Sequence, residues 1–163
     1  MMKSSQLLQA GEKTMSKTFK GRVVIAGEVK GDAVVSQQGL NTLATFTRTI
    51  LLRSKKAISG DQNNPEIYKK ELQGSILCLP KTIGSTSAGL VIMTLVDNGA
   101  FPSALLFSEP VDSLAAAGVI MADVWVEKSV VTIDSLGDDF LREVKTGDGI
   151  TVSRDGTVTL HQN

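Results

Sequence analysis

Ser75-Ile76-Leu77-Cys78-Leu79-Pro80-Lys81-Thr82-Ile83-Gly84-Ser85-Thr86-Ser87-Ala88-Gly89-Leu90-Val91-Ile92-Met93 joins three kinds of segment without a spacer. Residues 75–80 form an apolar run of strand length that stops at a proline, as a strand buried on both faces does. Residues 82–87 are small and hydroxylated, the composition of a turn. The apolar stretch that follows suits a strand by propensity, but Ser85 offers an N-cap and Gly99 a stop at helical separation, which predicts a helix near 86–97. Apolar nearly all round, that helix should be buried.

Downstream, residues 103–107 read as a strand and residues 111–122 as a helix, with Pro110 near its first position, Asp112 in its first turn and Ala115-Ala116-Ala117 inside it. This β-α-β-α run implies a parallel sheet. Val124-Trp125-Val126 and Val130-Val131-Thr132-Ile133 read as strands, with Trp125 in the core, and Asp138-Asp139 as the start of a short helix. Residues 150–153 and 157–160 flank Arg154-Asp155-Gly156, a strong hairpin signal. Upstream, residues 22–26 and 33–36 are β-branched runs around Gly27 and Lys30-Gly31-Asp32, the pattern of a hairpin or barrel edge. Residues 39–58 are mixed: Thr42, Thr45, Thr47 and Thr49 alternate as in a strand, while residues 48–56 suit a short basic helix. Residues 59–65, rich in turn formers, should be a surface loop. The expected class is α/β, with a central β-α-β-α unit flanked by β-hairpins that form a barrel-like sheet.

At 163 residues the chain suits one domain able to bury roughly two thirds of its unfolded surface. Residues 1–19 are expected to be a flexible lead-in, with Met15 as a possible second start, and residues 20–163 the domain. Positive and negative side chains balance at 17 each, so no long-range field favours nucleic acid or a membrane surface. No apolar run approaches the roughly 20 residues of a membrane helix. A lone cysteine, Cys78, and the absence of a signal peptide point to a reducing, cytoplasmic setting. Cys78 reads as a core residue and His161 as an incidental terminal one. An iron–sulfur cluster needs about four ligands, so this chain should bind no cofactor itself.

The chemistry, if any, gathers at Gly84-Ser85-Thr86-Ser87. Backbone N–H groups at a helix start lack partners and sit at the positive end of the dipole, so they attract a carboxylate or phosphate. The same field lowers the cost of negative charge on a hydroxyl at the cap. On spacing alone, helix capping is the commoner role for Ser85. A Walker loop is excluded because Lys81 precedes Gly84, and a serine hydrolase finds no Gly-x-Ser-x-Gly motif around Ser85.

Gly21-Arg22-Val23-Val24, residues 27–36, residues 72–80, Ile83-Gly84-Ser85-Thr86-Ser87 and residues 98–106 together resemble the aconitase X proteins over about residues 20–160. In that family a large subunit with an aconitase-like core works with a small swivelling subunit, sometimes fused to it. The resemblance implies a swivelling β/β/α fold and a dehydratase in which Ser85 matches the serine base. It implies that Gly84, Thr86 and Ser87 bind a small anionic substrate, with Asp61, Asn63 and Asn64 lining the same mouth. It also implies a large aconitase X subunit as partner, carrying an iron or iron–sulfur centre, and a small subunit inactive by itself. Residues 40–64 depart from the Gly-Gly-Val-Asp type of segment usual there. Members dehydrate cis-3-hydroxy-L-proline or a phosphorylated mevalonate. Because the segment leading into Gly84 is not rich in cations beyond Lys81, the first is favoured, phosphomevalonate or a non-catalytic anion-binding module being the alternatives.

Overall fold

Alternate residues of one strand divide the interior in two. On β5 (Ile76–Leu79), Leu77 and Leu79 pack with Phe46, Ile92, Leu95 and Val119, whereas Ile76 and Cys78 pack with Phe140, Ile150, Val158 and Leu160. Both faces of β5 are therefore core, which is why residues 75–80 show no polar alternation.

This computed structural model describes residues 15–84 and 86–162. Around β5 the chain runs β1 (Met15–Lys20), β2 (Arg22–Ile25), β3 (Val29–Val35), β4 (Leu40–Asn41) and α1 (Thr42–Leu51) before it, and β6 (Thr82–Ile83), α2 (Ala88–Asp97), β7 (Ala104–Phe107), α3 (Ser113–Trp125), β8 (Val131–Asp134), α4 (Asp138–Glu143), β9 (Gly149–Val152) and β10 (Thr157–Gln162) after it. Eight strands form one sheet in the order β1-β10-β9-β3-β5-β7-β8-β2. The pairs β3–β5, β5–β7 and β7–β8 are parallel, and the remaining pairs antiparallel. The edge strands β1 and β2 are consecutive segments joined at Gly21, whose N–H donates to the Gly156 carbonyl at 3.1 Å. The sheet thereby curls back on itself into the expected barrel-like form, nearly closed. Helices α1, α2 and α3 share a core with its outer face, and α4 contributes Phe140 and Leu141 to the inner one.

The β-α-β-α run and the β9–β10 hairpin form as expected. Several other expectations are corrected. Residues 22–26 and 33–36 make no hairpin: β2 pairs with β8, and β3 lies between β9 and β5. The pairing is decided by distant partners, among them the Arg22–Asp134 ion pair across β2 and β8. Residues 42–51 are helical, because Asn41 accepts the Ala44 N–H at 3.0 Å as an N-cap and Thr42, Thr45, Phe46 and Thr49 fall on one buried helical face. Helix α2 begins at Ala88 with Ser87, not Ser85, at the N-cap position. In α3 the cap is Asp112, which accepts N–H bonds from Leu114 at 2.9 Å and Ala115 at 3.0 Å, so Pro110 lies outside the helix. Val124-Trp125-Val126 is no strand: α3 runs through Trp125 and the chain reverses at Glu127, whose φ is 57°. Trp125 is consequently 72 % exposed and no core residue. The 59–65 segment is only partly a surface loop, since Ser59, Asp61 and Asn64 are buried. The lead-in expected over residues 1–19 gives way to β1 from Met15, and its earlier part lies outside the described residues.

Candidate active site

Ser36, Pro80 and Ser108 follow β3, β5 and β7 at the carboxyl ends of parallel strands, the edge where open α/β sheets hold ligands. There a short parallel ladder pairs Leu40 with Thr82 and Asn41 with Ile83. It zips the segment after β3 to the segment after β5, and so brings the N-cap of α1 against the predicted turn. Gly84 has a φ of 102°, a left-handed conformation unfavourable for residues with a Cβ, and such a Cβ would stand 3.4 Å from Asn41 Nδ2.

A third helix start is tied in from the other side. The Thr82 hydroxyl hydrogen-bonds Asp112 Oδ2, while Oδ1 of the same carboxylate caps α3. Helices α2 and α3 cross closely enough that a Cβ on Gly118 would lie 2.8 Å from the Gly89 carbonyl oxygen. Thr82, Ile83, Gly84, Ala88, Asp112, Ser113 and Leu114 line a cleft of about 240 Å³. The starts of α1, α2 and α3 thus converge on the Gly84 turn. Their dipoles favour an anion there. Lys81 adds little to that field, because its Nζ is 3.1 Å from Glu109 Oε2.

Of the expected site residues, Gly84 and Thr86 are exposed at this turn and Ser87 stands half-buried at the start of α2. Ser85 lies outside the described residues. Asp61 and Asn63 do not line the cleft. Asp61 Oδ1 accepts the Asn63 N–H at 3.0 Å, and Asn64 Nδ2 donates to the Ser36 hydroxyl at 2.9 Å, so these side chains brace the 59–64 segment. Sequence reading missed Asn41 as a site residue. Asn41 is an N-cap type of residue directly before Thr42, but the alternating threonines after it suggest a strand.

The donor set for a metal is poor. Burial pushes the Cys78 thiol far up from its ordinary range, away from the thiolate a metal needs. His161 Nε2 lies 3.0 Å from Thr151 Oγ1 on β9. Among the described residues no three His, Cys, Asp or Glu side chains gather into a set that would hold an iron or iron–sulfur centre. No described helix is long and apolar enough to cross a membrane.

The family model of the aconitase X swivel domain matches residues 18–160. The chain belongs to the aconitase X swivel family. Among aconitase X relatives, the phosphomevalonate dehydratase small subunit of Methanocella arvoryzae is 27 % identical over 145 residues, covering 87 % of this chain and 96 % of that protein. The cis-3-hydroxy-L-proline dehydratase of Pseudomonas aeruginosa is 30 % identical over 119 residues, 73 % of this chain but 19 % of that longer protein. The crystal structure of Thermococcus kodakaraensis aconitase X, in its holo-form, superposes with a TM-score of 0.74 at 26 % identity, covering 90 % of this chain and 99 % of that one.

Proposed function

We propose that this chain is the small subunit of an aconitase X-type hydro-lyase, supplying an anion-binding turn and a serine base to a site shared with a large subunit. The convergence of three helix starts on the Gly84 turn carries this reading. N–H groups at Thr86 and Ser87 would hold the substrate carboxylate. The same positive field would stabilise the Ser85 alkoxide that takes the proton from carbon. An iron or iron–sulfur centre, when bound by the large subunit, would polarise the departing hydroxyl. A small subunit whose described residues gather no metal-binding cluster is then inactive alone, and the complex is cytoplasmic.

The favoured substrate is cis-3-hydroxy-L-proline, because Lys81 is engaged by Glu109 and no cation among the described residues lines the cleft to meet a phosphate. The second reading, phosphomevalonate, is favoured by the nearly whole-length similarity to a small subunit of that specificity.

The test is the complex isolated from its own cells, with Ser85→Ala beside the parent. The variant is expected to lose about 10²- to 10⁴-fold in kcat with KM little changed, the size of a general-base contribution. Turnover within a few-fold of the parent defeats the base role. Exclusive turnover of phosphomevalonate replaces the first substrate by the second, and no dehydration of either by an iron-loaded complex defeats the reading.

A further inference from the structure

The cleft at the Gly84 turn carries opposite charge at its two sides. The first turns of α1 and α2 hold no acidic residue, so the positive ends of those helices are left to whatever anion binds. Asp112, a carboxylate, is the one charged side chain among the described residues that line the cleft.

Three neutral donors reach that carboxylate. The Leu114 N–H at 2.9 Å and the Ala115 N–H at 3.0 Å go to Oδ1, and the Thr82 hydroxyl goes to Oδ2. A carboxylate offers about four lone-pair sites, so one acceptor place remains, on Oδ2. Among the described residues no cation pairs with Asp112, and Lys81 is held by Glu109 instead. Capping α3 does not call for the charge, since Asn and Ser cap about as well as Asp, and Asn41 caps α1. A half-buried carboxylate without a counter-ion in a cleft wall favours a cationic donor there.

We propose that Asp112 receives the ammonium of a zwitterionic substrate whose carboxylate lies at the Gly84 turn, so that the cleft takes a small amino or imino acid. This rests on the reading that the turn holds a substrate carboxylate, and it adds the residue for the opposite charge. Gly84 and Asp112 line one cavity of about 240 Å³, below the roughly 300–1,000 Å³ of ordinary ligand pockets and suited to a single small ring. A doubly charged phosphate would meet the carboxylate instead of a cation.

The test is calorimetric titration of the complex with its large subunit, using L-proline and cyclopentanecarboxylate, two rings of one size that differ in the protonated nitrogen. The parent should bind L-proline at least about tenfold more tightly, the effect of a hydrogen bond between charged groups. Asp112→Asn and Asp112→Ser keep a cap for α3, and each should bring the two affinities within about threefold. Equal binding of both rings by the parent, which needs no variant, overturns the proposal. So does a tenfold preference that survives in both variants, or binding of neither ring. Loss of turnover in Ser85→Ala with both rings bound alike overturns this inference and leaves the serine base standing. Full turnover in Ser85→Ala with the L-proline preference intact does the reverse.

Discussion

At the scale of single residues, Asp134 holds more of the structure than any other charged side chain. Its carboxylate is fully buried and takes Arg22 Nε at 2.9 Å, Arg22 Nη2 at 2.5 Å and the Val111 N–H at 2.7 Å. Burial pushes its pKa up, but the Arg22 and Val111 bonds outweigh burial and hold it below the ordinary 3.8. A depressed carboxylate pKa stabilises the fold above the unfolded value, and that contribution disappears as pH falls through the folded one. Asp155 is also lowered, to about 2, chiefly by its bond to Lys20 and then by Thr157, but it is largely exposed and screened. Asp134→Asn should therefore cost about 2–4 kcal/mol near neutral pH, as when a buried charge pair is broken. Denaturant unfolding should show that deficit shrinking as pH falls below about 4, where the parent's carboxylate protonates. An equal deficit at both ends of the range would exclude the ionised pair as its cause.

Among the elements, α2 and α3 decide whether the Gly84 turn has its shape. A Cβ on Gly118 would meet the Gly89 carbonyl oxygen at 2.8 Å and its Cα at 2.9 Å, and backbone atoms cannot rotate away. Alanine favours a helix over glycine by about 1 kcal/mol, whereas overpacking costs about 1–3 kcal/mol. Gly118→Ala should thus lower the unfolding midpoint, and it should weaken the Thr82–Asp112 bond by spreading the helices, visible as shifts at both residues. A variant as stable as the parent would show that the crossing has slack. This element also marks the limit of what the sequence conveys. The order β5-α2-β7-α3-β8 and the Asp155-Gly156 hairpin were legible because each depends on neighbours: a proline stop, a glycine stop, a three-residue turn that ends in glycine. Helix α1 was not, because Thr42, Thr45 and Thr49 are buried at helical spacing while Thr47 is exposed, a pattern that the alternation of threonines along the sequence hides. Nor was the meeting of Asn41 with Gly84, or of Thr82 with Asp112, since loops after different strands make those contacts. Gly84 was legible from turn composition; the helix caps around it were products of the sheet order.

For the whole molecule, the same sheet order sets which end can meet a partner. All three helix starts lie at the Gly84 mouth, and α3 carries its far end about 20 Å away, at 1.5 Å per residue. Apolar side chains are exposed at both ends: Leu43, Ile83 and Leu90 near the mouth, Val124 and Trp125 at the end of α3. A large subunit completing the proposed site must cover the mouth, so its contact should include Leu90, 59 % exposed in the first turn of α2. A charge at a buried interface centre costs 2 kcal/mol or more in typical complexes, roughly thirtyfold in affinity. Leu90→Glu should accordingly release the large subunit in co-purification and sizing, while its surface position leaves the small subunit folded. Trp125→Ser, more exposed still, should leave the complex intact. The opposite pattern, loss of partner with Trp125→Ser and retention with Leu90→Glu, would put the interface at the far end and leave the Gly84 turn facing solvent, where its field is screened and a serine base would not work.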